Sequence, residues 1–142
     1  MNGFDFTEGA STLTQQLIKN NVFDFVNEKT FFDRVERKLQ EQYLALAFEK
    51  EMNKNEILEA YLNTINLGQG CLGVQTASTR YFNKDVADLT LSECAVIAAI
   101  TQNPTEYDPV TNPESNAKRV KKFSATCLNK NTSIRRSTAT YV

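Results

Sequence analysis

The chain has 142 residues, with 41% hydrophobic and 23% charged residues and a net charge of −1, which fits one soluble globular domain with a single core. The near-zero charge gives no sign of a nucleic-acid partner. Five glycines and three prolines are too few for a loop-rich β fold, and the absence of histidine excludes histidine catalysis and histidine metal ligands. Three cysteines, Cys71, Cys94 and Cys127, form neither a zinc pattern nor a disulfide framework and read as small buried or half-buried thiols. No run is long enough for a transmembrane helix, and the first residues do not read as a signal peptide.

The periodicity is helical almost throughout. In GASTLTQQLIKN, Gly9 to Asn20, Thr12 and Gln15 make a capping-box pair, and Leu13, Leu17 and Ile18 give an apolar side. A loop from Phe23 to Lys29 follows. Thr30 with Asp33 starts the longest helix, which runs to about Met52 with Phe32, Val35, Leu39, Leu46 and Ala47 near helical spacing. Asn53 with Glu56 marks a third start. There Ile57, Leu58, Tyr61 and Leu62 form the apolar face, Tyr61 and Leu62 are expected in the core, and Glu56, Glu59 and Asn63 form a polar exposed side. Gly68, Gly70 and Gly73 punctuate a turn, and Val74 to Phe82 reads as a short helix. Thr90 with Glu93 caps an apolar helix, Cys94 to Ile100, expected in the centre of the core. Pro104 and Pro109 break the chain, and Asn112 before Pro113 starts a last helix. No strand alternation persists, so the fold class is all-α.

Two groups of residues could carry chemistry. Arg37 and Lys38 sit four and three residues before Glu41, with Arg34 seven before it, so all four share one helix surface. On spacing alone this is a solvated, ion-paired face. The alternative is a carboxylate held among cations, suited to a phosphorylated substrate. The helix start at Ser11 and Thr12, with Lys19 two turns on, is a second anion-site candidate. Locally, Thr12 and Gln15 can be a cap and nothing more, with Gln16 and Lys19 in solvent.

Taken together, GASTLTQQLIKN, RKLQEQYLALAFEK and KNEILEAYLN resemble, in order, the second, third and fourth signatures of the peptidoglycan glycosyltransferase domain of bifunctional penicillin-binding proteins and monofunctional transglycosylases. The likeness extends from about Gly9 to Lys122. It implies a lysozyme-like helical fold and an enzyme that polymerises lipid-linked disaccharide-peptide units into glycan strands at the outer face of the bacterial cytoplasmic membrane. By the same resemblance, Glu41 matches the second essential glutamate, Arg37 and Lys38 the adjacent basic pair, and Lys19 a phosphate-contacting lysine. Ser11, Thr12 and Gln16 match polar substrate contacts. The implied partners are the lipid-linked precursor, the growing strand and the membrane surface, with a linked transpeptidase domain in a full-length protein. No cofactor is required, although some family members use a divalent metal, Mg or Mn, at the pyrophosphate.

The sequence also departs from the pattern. The family's first signature, Glu-Asp-x-x-Phe-x-x-His-x-Gly, carries the general base and should lie upstream of Gly9, where MNGFDFTE stands instead. The expectation is therefore a domain truncated at its N-terminus, without its anchor or its base. Residues 1–8 would be a remnant, 9–122 a partial domain and 123–142 an unrelated, disordered tail. The codons permitted for KKFSATCLNKNT, read one base earlier, allow the family's Val-Leu-Ser-Asn-Met-Leu-Glu-Gln-Glu-Tyr-Ile. A frameshift near Lys121–Lys122 would explain the tail and leave Cys127 and Arg135–Arg136 without a role. Two other readings stand beside this one: a lysozyme-like glycoside hydrolase or lytic enzyme, and a non-catalytic helical binding module.

Overall fold

A computed structural model describes residues 11–23 and 30–123. The expectations for residues 1–8, for the loop at 24–29 and for the tail from 124 onward lie outside the described residues. The chain divides into two compact units, Met1–Thr64 and Ile65–Val142. Among the described residues the fold is all-α: α1 (Leu13–Val22), α2 (Phe31–Glu51), α3 (Lys54–Thr64), α4 (Val74–Phe82), a 3-10 turn (Val86–Asp88), α5 (Leu91–Ile100) and α6 (113–123). No helix among them is long and apolar enough to cross a membrane.

In the first unit, α1 packs against both α2 and α3. The caps expected from sequence are present. Thr12 and Gln15 exchange hydrogen bonds at the head of α1, and Thr30 and Asp33 do the same for α2. Asn53 Oδ1 accepts from the Asn55 and Glu56 N–H groups at the head of α3. Polar bonds also tie α1 to its neighbours. The Thr14 hydroxyl donates to Glu49 Oε1 at 2.6 Å, and Asn21 Nδ2 reaches Thr64 Oγ1 at 3.3 Å.

The long helix is inverted relative to its sequence pattern. Its buried residues are Glu41 and Ala45. Phe32 (80% exposed), Leu39 and Leu46 face outward with Val35. Nine positions separate Phe32 from Glu41, about two and a half turns, so the two lie on opposite sides of the helix. The periodicity gives the helix correctly, but the apolar stripe is not its packed face. Leu62 is likewise exposed, contrary to expectation, while Tyr61 is buried. Leu62 follows Tyr61 by one position, about 100° around the helix, and that turns it off the packed side.

The second unit begins with a glycine turn. Leu67 N–H donates to the Cys71 carbonyl and Gly73 N–H to the Ile65 carbonyl, and Gly68, Gln69 and Gly70 all have positive φ. A Cβ at Gly68 would lie 3.2 Å from the Pro104 carbonyl oxygen and 3.3 Å from the Tyr81 hydroxyl, so glycine is demanded twice over there. The Tyr81 hydroxyl donates to the Leu67 carbonyl, and Tyr81 is pushed up to about 12, first by burial and then by Asp108 and Cys71 nearby. Asp108 is buried. Burial alone would raise its pKa, but the Gln69 amide and the Val110 and Thr111 N–H groups bond to it and hold it below its ordinary value. Asn116 Nδ2 bonds the Val96 and Tyr107 carbonyls, anchoring α6.

Helix α5 starts at Leu91, directly after its expected Thr90 cap, and buries only the distal part of its apolar stretch, Ile97, Ala99 and Ile100. Cys94 is exposed, so it is neither a core residue nor a buried thiol, whereas Cys71 is buried as expected. At the head of α5, Lys84 Nζ donates to Glu93 at 2.7 Å, and the Thr90 N–H and hydroxyl each donate to it at 2.8 Å. These bonds, Lys84 first, pull the Glu93 carboxyl down from 4.5 to about 2. A carboxyl whose folded pKa is depressed contributes stability above its unfolded pKa and loses it as pH falls through the folded value. The acid side of the stability curve, between about pH 4.5 and pH 2, is therefore expected to flatten in Glu93→Gln. Thermal unfolding across that range checks this, and an unchanged acid slope would contradict it.

Candidate active site

The first unit brings together residues of α2 and the segment just before α1. Lys38 Nζ, on the third turn of α2, donates to Ser11 Oγ at 3.0 Å and to Glu41 Oε2 at 2.8 Å. Arg37, one residue earlier, bonds the other oxygen of Glu41. Glu41 is 1% exposed, so its carboxylate lies beneath its two cations, while Lys38 keeps nearly half of its side chain in solvent. A buried carboxylate fixed in this way orients the cations, and the exposed ammonium is presented to whatever binds. Among the described residues of the cluster, two positive charges meet one negative.

Of the remaining sequence candidates, Thr12 and Gln16 adjoin Ser11, and Lys19 and Arg34 are placed by their helix positions. Thr12 is the N-cap of α1, its hydroxyl accepting from Gln15 N–H at 3.2 Å. Gln16 has both amide atoms engaged. Its Nε2 donates to the Ser11 carbonyl at 3.1 Å, and its Oε1 accepts from the Tyr61 hydroxyl at 3.2 Å. Lys19 is half-buried, one turn beyond Gln16 on the same face of α1. Arg34 is exposed, two turns before Glu41. Sequence reasoning placed Tyr61 in the core and missed its hydroxyl contact. The available signal was a tyrosine where phenylalanine would fill the space, since a buried phenol needs a partner.

The chemistry of this donor set decides what it can hold. Both oxygens of Glu41 accept from Arg37 and Lys38, and no other carboxylate joins the cluster among the described residues, so these residues by themselves offer a divalent cation no free carboxylate oxygen. The set fits an anion. In the second unit, a cleft of about 550 Å³ is lined by Asn66, Gln69, Thr105, Asp108 and other residues that include no lysine or arginine, so it offers a phosphate no cation.

The fold and the cluster thus define a small helical domain with a buried glutamate held by two cations, built on two sequence motifs. The sequence profile of the transglycosylase family matches residues 1–127, and the chain belongs to that family. It is 52% identical over 105 residues to penicillin-binding protein 1A of Clostridium botulinum (strain Langeland), covering 74% of this chain and 12% of that protein. It is 50% identical over 108 residues to penicillin-binding protein 1A of Clostridium perfringens (strain 13), covering 76% of this chain and 15% of that protein. Against penicillin-binding protein 1F of Bacillus subtilis (strain 168) the identity is 46% over 112 residues, covering 79% of this chain and 15% of that protein. The chain therefore spans less than a sixth of the length of these relatives.

Proposed function

We propose that the chain carries the donor-pyrophosphate part of a peptidoglycan glycosyltransferase site, serving the polymerisation of lipid-linked disaccharide-peptide units into glycan strands. The observation that carries this reading is Lys38, whose ammonium joins Ser11 of the second signature to Glu41 of the third. In the reaction, an acceptor sugar hydroxyl oxygen bonds to the donor's anomeric carbon. The bond from that carbon to the polyprenyl pyrophosphate breaks, and the electron pair stays on the leaving oxygen. Charge therefore grows on the pyrophosphate, where cations fixed in advance stabilise the transition state more than the ground state. Lys38 and Arg37, held by Glu41, together with Lys19, are placed in that role. Ser11 and Thr12 form the adjoining wall. The charge on the leaving group is met by these side chains, and no step is assigned to a metal.

The acceptor proton needs a base, which the family resemblance places in a Glu-Asp-x-x-Phe-x-x-His stretch. These 142 residues contain no histidine and no such stretch, so the part of the reaction proposed for them is binding of the donor group. In the longer proteins the chain resembles, the working site is proposed to face the outer side of the cytoplasmic membrane, where the lipid-linked substrate and growing strand lie, with a transpeptidase domain on the same chain.

A lytic glycosidase is the competing chemistry. That mechanism needs two carboxylates flanking the scissile bond, one of them free to give a proton. Glu41 lies buried under two cations, which does not suit it to that task. Titration calorimetry with geranyl pyrophosphate, together with incubation on purified cell wall, separates the two. Binding of the pyrophosphate with no release of soluble muropeptides is expected. Muropeptide release without pyrophosphate binding would replace this reading with the lytic one.

A further inference from the structure

We infer that Tyr61 is a positioning residue of the pyrophosphate site: its hydroxyl fixes the Gln16 amide, which holds the Ser11 backbone and so sets the Ser11 hydroxyl against the Lys38 ammonium. The inference rests on the pyrophosphate reading of the Lys38 cluster. It also changes the part played by Gln16, from a group that touches substrate to one that holds Ser11 in place.

The bonds form one line across the first unit. Tyr61, on α3, donates to Gln16 Oε1 at 3.2 Å. Gln16 Nε2, on the first turn of α1, donates to the Ser11 carbonyl at 3.1 Å. Ser11 Oγ accepts from Lys38 Nζ at 3.0 Å, and Lys38 bonds Glu41. Residues 45 apart in sequence are joined at the first step and residues 27 apart at the third.

Each link has a definite direction. The Ser11 carbonyl can only accept, so it must face the Gln16 NH2, and the Gln16 oxygen must then face Tyr61. Tyr61 has to donate, which requires a protonated phenol, and burial raises its pKa and keeps it so. The position itself does not call for a hydroxyl. Tyr61 is 6% exposed and follows the buried Ile57 by four residues on the same apolar face of α3, where phenylalanine would pack equally well. The polar atom is surplus to packing and lands on a residue that touches the site.

Phosphate recognition is sensitive to such placement, because a hydroxyl and an ammonium must both reach the same group of oxygens. Without the Tyr61 hydroxyl, the Gln16 amide can rotate, and Ser11 loses the constraint that keeps its Oγ beneath Lys38.

The test is a double-mutant cycle with geranyl pyrophosphate as the probe, read by titration calorimetry on the full chain. Tyr61→Phe is expected to weaken binding about fivefold when Gln16 is present, the worth of one hydrogen bond. In a Gln16→Leu background the same change should cost less than about twofold, because the link it acts through is gone. Tyr81→Phe removes another buried tyrosine hydroxyl, one that bonds the Leu67 carbonyl, and should leave probe binding unchanged. NMR supplies a reading independent of the ligand: the Ser11 amide and Lys38 Nζ resonances should move in Tyr61→Phe and stay in place in Tyr81→Phe.

Wild-type affinity in Tyr61→Phe would overturn the proposal. So would an equal loss in both Gln16 backgrounds, which marks a general structural role, or unmoved Ser11 and Lys38 resonances. If the wild-type chain does not bind the probe at all, the pyrophosphate reading fails. The positioning link is then judged by the resonances alone, supported if Ser11 and Lys38 shift and overturned if they do not.

Discussion

Glu41→Ala is expected to lower the stability of the first unit by about 3 kcal/mol and to weaken geranyl pyrophosphate binding by at least about tenfold. The carboxylate is 1% exposed and bonds Arg37, whose side chain is 14% exposed, and Lys38. Breaking a buried ion pair by removing one partner costs about 3–5 kcal/mol, because the remaining charge stays desolvated. The low end applies here because Lys38 is 46% exposed and water can take up part of its charge. For a chain of this size, about 3 kcal/mol corresponds to a fall of roughly 10 °C in the unfolding midpoint.

A paired change separates the two effects. Replacing both partners by apolar residues of similar volume often restores stability, so Arg37→Met with Glu41→Leu should recover most of the midpoint. It should not recover probe binding, since the oriented cation is lost. Calorimetry and thermal unfolding on the same samples check both halves. A Glu41→Ala chain that unfolds at the wild-type midpoint would show that the buried carboxylate does not hold this cluster together.

The second large effect is expected from removing the two lysines proposed to meet the ligand. A Lys19→Ala, Lys38→Ala double variant should bind geranyl pyrophosphate about a hundredfold more weakly than wild type, at roughly tenfold per partly exposed charge-assisted contact. Wild-type binding should also weaken as salt is raised from 0.05 to about 0.5 M, because exposed charges are screened over a shortening Debye length. The double variant should show a shallower salt dependence. Equal affinity in the two proteins would remove Lys19 and Lys38 from the site and leave the anion reading without its main support. Because Lys38 is solvated, its loss should change the unfolding midpoint far less than loss of Glu41, so binding and stability part company in this variant.

Sequence alone determined the local structure and the list of candidate residues. Thr12 with Gln15, Thr30 with Asp33 and Thr90 with Glu93 are short-range capping pairs, written in a spacing of three, and all three form. Helical class follows from the same short-range physics. The order of the three motifs pointed to the family to which the chain belongs. The grouping of Arg37, Lys38 and Glu41 was also legible, since residues three and four apart meet on a helix surface.

Tertiary packing decided the rest. Periodicity shows that Phe32, Val35, Leu39 and Leu46 share a face, but nothing local says which face meets a neighbour. The packed side proved to be that of Glu41 and Ala45. Helix α5 shows the same limit: it is apolar along most of its length, and only packing distinguishes the exposed Cys94 from the buried Ile97. The bond from Lys38 to Ser11 spans 27 residues and that from Tyr61 to Gln16 spans 45. No spacing rule reaches that far, because such contacts depend on how α1 lies against α2 and α3, and many side chains jointly determine that arrangement. The sequence supplied a cap, a basic pair and a glutamate. Packing of the helices joined them into one charged cluster, with a tyrosine behind it.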